Sequence, residues 1–222
     1  MFKDRFLNRL GLAFIALFAA FYFWQNPGLF TGKLTQAEID TAIAKAGQQV
    51  PFPPGRKEPI LKAVRAWAEA DDGKPFYMLN LMRFYKEVKK IPGAPNFEGS
   101  PAQANALYEA KATMMLVPAA GSAPIMANVQ GKNVINSDSD APTLDDWSRV
   151  LVVRYPNRRA FLQLISDPSY APIEPYKAMA LEFLLVPIEG NPVIPDPHVI
   201  VGALLLVIFL GVGWKRAARA DR

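Results

Sequence analysis

Two stretches of the chain, one near each end, are apolar on every side. Residues 10–24 read LGLAFIALFAAFYFW, and residues 199–214 read VIVGALLLVIFLGVGW. A bilayer core takes about 20 apolar residues of helix to cross, so we predict transmembrane helices over 10–30 and 198–214. A cleaved signal peptide is the alternative for the first, but bulky aromatic residues stand where cleavage needs small ones. A buried core helix is the alternative for the second, but no chain follows to cover it.

The residues that flank these two stretches are typical of the membrane–water interface. Tyr22 and Trp24 lie near the outer end of the first stretch, and Trp214 and Lys215 end the second. Aromatic rings favour the headgroup level, and a lysine reaches it by extending its amine. His198 begins the second stretch, where an interfacial histidine without a ligand is favoured over a haem or pigment ligand. We predict that all five residues lie at the interface.

The net charge of +5 lies outside the apolar stretches. Residues 1–9 carry three basic residues against Asp4, and residues 215–222 carry four against Asp221, so the chain between them is net neutral. Basic residues beside a transmembrane helix favour the cytoplasmic side. We therefore expect a two-pass protein of the bacterial inner (cytoplasmic) membrane, with both termini cytoplasmic and the central domain periplasmic. A neutral domain also argues against nucleic-acid binding.

Residues 31–73 have the pattern of two short helices. Thr35 and Glu38 have the spacing of a capping box, which marks the start of the first helix. Pro59 suits the first turn of the second helix, whose apolar stripe ends at Asp71. We interpret this region as a helical lead-in to the central domain.

Residues 74–190 alternate between strand and helix patterns in the order β-α-β-β-α-β. This order predicts an α+β, ferredoxin-like domain with one antiparallel sheet and helices on one face. The other face of the sheet is also apolar, so a second sheet would have to cover it. Residues 191–197 form a linker. The elements are strands at 75–85, 125–135, 149–155 and 181–188, helices from Ser100 to Val117 and after Asn157, and a broken helix over 168–179.

Several segments of this domain resemble a known family. They are PFYMLNLMRF, Tyr108-Glu109-Ala110, Gly121, Trp147, and VLVVRYPNRRAFLQLISDPSYAPI followed by ALEFLLVPI. They are similar to an uncharacterised family of dimeric α/β-barrel proteins, known only as a domain of unknown function, number thirteen-thirty. The match spans about residues 74–189.

The resemblance implies a fold and a pairing but no activity. It implies a ferredoxin-like subunit whose sheet pairs with that of a second copy to close a barrel, which makes the protein a homodimer. The chain departs from the pattern before the final strand, where Pro175-Tyr176-Lys177 replaces a basic stretch that often contains histidine. The two apolar ends are additions to the domain.

Two groups of polar residues in apolar strands are candidate ligand-binding residues. Asn80 and Arg83 lie in the first strand; either one reaches a ligand inside the barrel, or Arg83 pairs with a carboxylate such as Glu182 and Asn80 satisfies backbone groups. Arg154 and Tyr155 lie in the third strand, with Glu182 in the last. A buried Arg154–Glu182 pair is a ligand or acid–base site in one interpretation and a structural ion pair in the other, which is favoured.

The sequence predicts no metal or cofactor. It contains no cysteine and a single histidine, which excludes thiolate chemistry and imidazole clusters. A polar loop carries four carboxylates, but its spacing does not fit an EF-hand, and a solvated loop is favoured. These carboxylates belong to Asp138, Asp140, Asp145 and Asp146.

Two functions remain open. The favoured one is a membrane-anchored, non-catalytic binding or accessory module, as a homodimer or as a subunit of a larger membrane complex. The alternative is an enzyme or small-molecule binder that uses the barrel lumen on a hydrophobic substrate, as a cofactor-independent oxygenase or isomerase would. The first is favoured because no constellation of catalytic residues stands out, and the catalytic residues of the second are unknown.

Overall fold

The protein is a mixed α+β structure with a four-stranded antiparallel sheet and an apolar helix at each end. The computed structural model describes residues 4–52, 55–91, 94–135, 146–189 and 195–220. The strands are β1 (Phe76–Phe84), β2 (Ser122–Asn128), β3 (Arg149–Tyr155) and β4 (Leu181–Ile188). The helices are α1 (Arg5–Gln25), α2 (Gly28–Thr31), α3 (Gln36–Gln49), α4 (Lys57–Glu69), α5 (Pro101–Leu116), α6 (Arg158–Ile165), α7 (Glu174–Ala180) and α8 (Pro197–Ala220).

The end helices α1 and α8 are each long and apolar enough to cross a membrane. Helix α1 begins at Arg5, where Asp4 caps it, and ends at Gln25 instead of reaching residue 30. It stops there because Pro27 follows, and the short helix α2 takes up the remaining residues. Helix α8 runs past residue 214, since an alanine-rich basic segment continues it to Ala220.

The two end helices pack against each other in opposite directions. Arg216 near the end of α8 forms a 2.7 Å ion pair with Asp4 at the start of α1. Glycines on each helix lie against a phenylalanine ring of the other helix. At Gly202, a Cβ atom would lie only 2.9 Å from the Phe18 ring. The close approach therefore depends on the missing side chain.

Three predicted helix starts of the central region are confirmed, whereas α4 begins at Lys57, two residues before the predicted Pro59. Thr35 and Glu38 form the expected capping box at α3, and Ser100 with Gln103 forms another at α5. Asn157 caps α6 by accepting a bond from the Ala160 amide at 2.9 Å. Each cap satisfies amide groups that have no partner within the helix.

The sheet has the strand order β2-β3-β1-β4, and every neighbouring pair is antiparallel. Alternate residues of β1 lie on the helix side: Phe76, Met78 and Met82 are buried in one core with residues of α5, α6 and α7. The residues between them, such as Leu79 and Leu81, lie on the opposite side and are half-exposed. The helices therefore cover one face of the sheet.

Strand β2 and helix α7 differ from their predicted extents. Strand β2 ends at Asn128 instead of residue 135, because its partner β3 begins only at Arg149, opposite Asn128. Val134 and Ile135 are consequently almost fully exposed. The predicted broken helix over 168–179 consists of turns followed by α7, which begins at Glu174.

Candidate functional site

Asn80 lies in the centre of the sheet and points to the helix side. Its side chain is buried, and its amide nitrogen donates to the carbonyl oxygens of Met78 at 3.0 Å and Leu151 at 3.3 Å. Its amide oxygen accepts a 3.3 Å hydrogen bond from the Lys177 amine. The predicted role in satisfying backbone groups is therefore observed, and a buried lysine is added to it.

Lys177 of α7 is buried with only 4% of its surface exposed. Its amine lies 4.2 Å from the centre of the Phe183 ring and 5.1 Å from that of Tyr108. Among the described residues, no carboxylate oxygen lies within 4.0 Å of this nitrogen. Buried lysines are rare unless paired, so the surroundings of Lys177 are unusual.

Burial moves the pKa values of Lys177 and Glu174 towards each other. Loss of solvent lowers the pKa of the Lys177 amine to about 8, although Glu174 and Glu109 act in the opposite direction. The same effect raises the pKa of the Glu174 carboxyl to about 7, against the influence of Lys177. Both groups therefore exchange protons near neutral pH.

Helix α5 contributes polar groups to the same region. Tyr108 shares a 3.0 Å hydrogen bond with the hydroxyl of Tyr170, and burial raises the pKa of Tyr108 to about 12. Asn105 donates to Glu109 at 2.8 Å, and Arg149 of β3 binds the same carboxylate with two nitrogens, one at 2.6 Å. These bonds hold Glu109 as an ion pair at the edge of the region.

We call the seven buried polar residues between α5, α7 and β1 the helix-side cluster. Two of its oxygens, Oδ1 of Asn105 and Oε2 of Glu174, are buried and have no hydrogen-bond partner among the residues that the structure describes. A buried polar atom without a hydrogen bond lowers the stability of the folded state. A hydrogen-bond donor that is not part of the described chain, such as water or a ligand, therefore fits at these positions. The cluster comprises Asn80, Asn105, Tyr108, Glu109, Tyr170, Glu174 and Lys177.

Arg83, Arg154 and Glu182 lie on the opposite side of the sheet from Asn80. Arg83 pairs with Glu182 at 2.6 Å on the surface, as the structural alternative predicted. Between and beside them are apolar side chains that no described helix covers. We call this the open sheet face, and its apolar members are Leu79, Leu81, Ile125, Ala127, Val150, Val152, Leu184, Val186 and Ile188.

The predicted pair of Arg154 with Glu182 is wrong. Arg154 is buried, and its guanidinium donates to the carboxylate of Asp196 at 3.0 and 3.4 Å and to the side chain of Gln25 at 3.2 Å. The Tyr77 hydroxyl donates to the same carboxylate at 3.0 Å. Glu182 lies opposite Arg83, six residues along β1 from Tyr77, which explains why it does not reach Arg154.

Arg154 therefore joins the sheet to both apolar helices. Gln25 is the last residue of α1, and Asp196 immediately precedes α8. Burial and the Asp196 carboxylate raise the pKa of Tyr77 to about 12, so its hydroxyl stays protonated and donating. We call these four residues the helix-end cluster: Gln25, Tyr77, Arg154 and Asp196.

Tyr155 does not share a site with Arg154. It lies on the helix side of β3, stacked on Phe76 with ring centres 5.3 Å apart and in edge contact with Phe161. Its neighbour in sequence faces the opposite side because strand residues alternate. Tyr155 is a core residue, and burial raises its pKa.

The predicted interface residues lie at the ends of the apolar helices. Tyr22 contacts His198 edge-to-face with ring centres 5.2 Å apart, and Trp24 donates to the Pro118 carbonyl at 3.4 Å. Trp214 and Lys215 are exposed on α8. Their position relative to a bilayer remains a prediction.

Metal binding finds no support among the described residues. They include no group of three or more histidine or carboxylate side chains arranged to hold a metal ion. Of the predicted carboxylate loop only Asp146 is described, and it is exposed. Asp138, Asp140 and Asp145 lie outside the described residues.

An open groove of about 360 Å³ lies between α3 and α6, away from both clusters. Arg159 crosses one side of it to Glu38 at 2.8 Å and lowers the pKa of that carboxyl to about 2. Arg159 also donates to the carbonyl oxygens of Gly32 and Lys33. These bonds tie the segment after α2 to the central domain, which is a structural role.

The comparisons with known proteins concern the fold. No protein-family model matches the chain, and no curated protein sequence does. The structure of methylated RPA0582 protein is similar, with 22% identity and a TM-score of 0.50 over 64% of this chain and 96% of that one. A second structure, the RPA0582 protein of unknown function from Rhodopseudomonas palustris, has 21% identity and a TM-score of 0.49 over 66% and 98%. At 22% identity the likeness shows a shared fold alone.

The sequence interpretation missed most of the helix-side cluster. Tyr108 and Glu109 follow Asn105 by three and four residues, which places all three on one helix face. The buried face of α5 follows that spacing, whereas Leu107 and Met114 are exposed. Because the same buried face also carries Ala104, Ala112 and Leu116, polar and apolar residues are mixed along α5, and only the fold reveals that these polar groups are buried.

Proposed function

We propose that the protein is a membrane-anchored, non-catalytic accessory module of the bacterial inner membrane. Its two end helices span the bilayer, and its central domain binds protein through the open sheet face, which a second copy of the chain covers. The observation that carries this proposal is an apolar sheet face left uncovered in a chain whose ends are apolar helices.

The open sheet face has the chemistry of a protein interface. Leu184 is 51% exposed, and Ile125, Val186 and Ile188 are each more than a third exposed. A contiguous apolar patch on a folded domain marks an interaction site. Arg83 and Glu182 lie at its margin as an exposed ion pair, which matches the polar rim that surrounds an apolar interface core.

The strand order supports a ferredoxin-like domain of the dimeric α/β-barrel type. In β2-β3-β1-β4 the first and last strands of the domain are neighbours, and the helices of both crossovers pack on one face. Packing the open sheet faces of two copies against each other would bury both apolar surfaces. Membership of the domain-of-unknown-function family that the sequence resembles is part of the same proposal.

The helix-end cluster supports anchoring by both helices at once. Its buried arginine binds the end of α1 and the start of α8, so the domain is held where the two helices emerge together. With both basic ends cytoplasmic, the domain lies in the periplasm.

Engineered cysteines test the pairing, because the natural chain has none. Leu79, Leu81, Leu184 and Val186 would be changed singly to cysteine, with Lys111→Cys on the exposed side of α5 as the matched control. We expect oxidation in native membranes to give disulfide-linked dimers from at least one face variant and none from the control. If every face variant stays as monomeric as Lys111→Cys, the pairing is refuted.

A second pair of cysteines tests the topology. Lys86→Cys lies on the central domain, and Lys215→Cys lies at the cytoplasmic end of α8. We expect a membrane-impermeant maleimide to label the first in spheroplasts and the second only after the membrane is opened. The reverse pattern, or release of the protein by alkaline carbonate, would contradict the two-pass arrangement.

The alternative, a small-molecule binder or enzyme, is favoured by one observation. The helix-side cluster holds titratable groups and two unpaired oxygens in an apolar core. The predicted lumen residues do not form such a site, because Asn80 faces the helices while Arg83 and Arg154 face the other way and are already paired with carboxylates.

A further inference from the structure

We propose that Lys177 is a nucleophilic amine that condenses reversibly with small hydrophobic aldehydes or ketones, with Glu174 as the acid that assists the loss of water. This activity lies on the helix side of the sheet and does not depend on pairing through the open sheet face. It goes beyond the proposed accessory function, because it adds a covalent small-molecule site to the module.

The first support is the incomplete pairing of the Lys177 amine. An ammonium group has three donors, and the described residues give it one hydrogen bond, to the neutral amide oxygen of Asn80 at 3.3 Å. Its other neighbours are the rings of Phe183 and Tyr108. A lysine kept for structure would be expected to contact a carboxylate directly, whereas a desolvated amine in an apolar pocket is the arrangement that activates a lysine nucleophile.

The second support is a carboxyl group placed to move protons. Glu174 precedes Lys177 by one helical turn on α7, so both side chains extend from the same side of that helix. Its Oε2 atom is buried and accepts no hydrogen bond from the described part of the chain. Glu109 from α5 acts on the pKa of Lys177, and Glu174 contributes to raising the pKa values of Tyr108 from α5 and Tyr170 from the turn before α7. Glu109 is already held by Arg149, which leaves Glu174 as the available acid.

The third support is an apolar approach to the amine. Phe183 and Leu185 lie on the helix side of β4, opposite Met82 and Asn80 of β1. They are 37% and 38% exposed, because α7 covers only the start of this strand. Phe183 therefore lies between the Lys177 amine and solvent. A small apolar molecule that displaces this ring reaches the amine, whereas a charged one would lose its hydration on the way.

The chemistry balances without a cofactor or an oxidant. The Lys177 nitrogen forms a bond to the carbonyl carbon, and one proton passes from nitrogen to oxygen to give a carbinolamine. Glu174 then donates a proton to the hydroxyl group, which leaves as water while the carbon–nitrogen double bond forms. The carboxylate recovers a proton from the nitrogen, so Glu174 returns to its starting state.

Reductive trapping tests the proposal on the full chain in mild detergent. Butanal with sodium cyanoborohydride converts each imine into a stable butylamine, which peptide mass spectrometry locates. At pH 7.5 a lysine of ordinary pKa is only about 0.1% neutral amine, so we expect Lys177 to be modified at least tenfold faster than the exposed Lys111. If Lys177 in the folded wild-type protein reacts no faster than Lys111, the proposal is refuted.

Three comparisons separate a built site from transient unfolding. Glyoxylate, a charged aldehyde, should modify Lys177 at least tenfold more slowly than butanal relative to Lys111. Glu174→Gln should slow butylation of Lys177 at least tenfold, and Phe183→Ala should accelerate it. If unfolding limits access instead, both aldehydes modify Lys177 in the same ratio to Lys111 and Glu174→Gln has no effect, which would overturn the proposal.

Discussion

Arg154 and Lys177 are both buried cations of the central domain, and they lie on opposite sides of the same sheet. Arg154 donates four hydrogen bonds, two of them to one carboxylate. Lys177 donates one, to a neutral amide. The planar guanidinium binds several acceptors in fixed directions, whereas an ammonium on a flexible chain is easily desolvated without them. The first site is therefore suited to holding parts together, and the second to changing its protonation.

The largest loss of stability is expected at Arg154, which has the more complete set of hydrogen bonds of the two cations. Arg154→Ala leaves Asp196 and Gln25 without their partner, and breaking one side of a buried ion pair destabilises by about 3–5 kcal/mol. Because Asp196 is 27% exposed, we expect the lower end, about 3 kcal/mol, which is roughly 6–12 °C in the thermal midpoint in detergent.

Arg83→Ala is the matched control for this change. It removes an arginine from the same sheet face, but its partner Glu182 is 52% exposed, and exposed pairs contribute at most about 1 kcal/mol. Equal losses for the two variants would show that Arg154 is no more structural than a surface arginine.

The second effect separates the two sites by pH. Glu174 has a pKa of about 7 in the folded protein and about 4.3 when unfolded. Between these values the folded state keeps a proton that the unfolded state has lost, so stability falls as the pH rises from about 4.5 to 7, by about 3 kcal/mol in total. Unfolding by urea across this range measures it. Glu174→Gln should abolish the fall, and a fall that persists in that variant must come from another group.

The third predicted effect is a change of stability with pH that has the opposite sign and arises from Lys177. Its folded pKa is about 8 and its unfolded value about 10.4. Between them the unfolded chain binds the extra proton, so stability rises with pH from about 8 to 10.4, by up to about 3 kcal/mol. Lys177→Met should flatten this rise in the same urea experiments. Arg154→Ala should leave the rise of stability with pH unchanged. If both variants lose the rise, the residues on the two sides of the sheet are coupled in their effect on stability.

The sequence predicts the elements of this protein better than it predicts its buried polar groups. Helix starts at Thr35, Ser100 and Asn157 are local, since the capping side chain and the amide it binds are three residues apart. The pairing of Arg154 with Asp196 joins residues 42 apart through a linker without regular pattern. Glu182 is nearer to Arg154 in sequence, yet β1 separates their strands and the register places Glu182 opposite Arg83. Register and linker path are tertiary properties that periodicity does not contain.

The smallest effect concerns a neutral pair in the helix-side cluster. Tyr108 and Tyr170 share one hydrogen bond between their hydroxyl groups in a buried region. Changing either residue to phenylalanine leaves the other hydroxyl unpaired, which costs about 1–2 kcal/mol. Changing both removes the unpaired group and keeps the shape of the rings, so the double variant should lose no more than one single variant does. Urea unfolding of the four proteins gives the coupling directly. Additive losses of stability would mean that each hydroxyl has its own partner, such as water or Glu174. This part of the cluster would then admit a ligand without any rearrangement of its side chains.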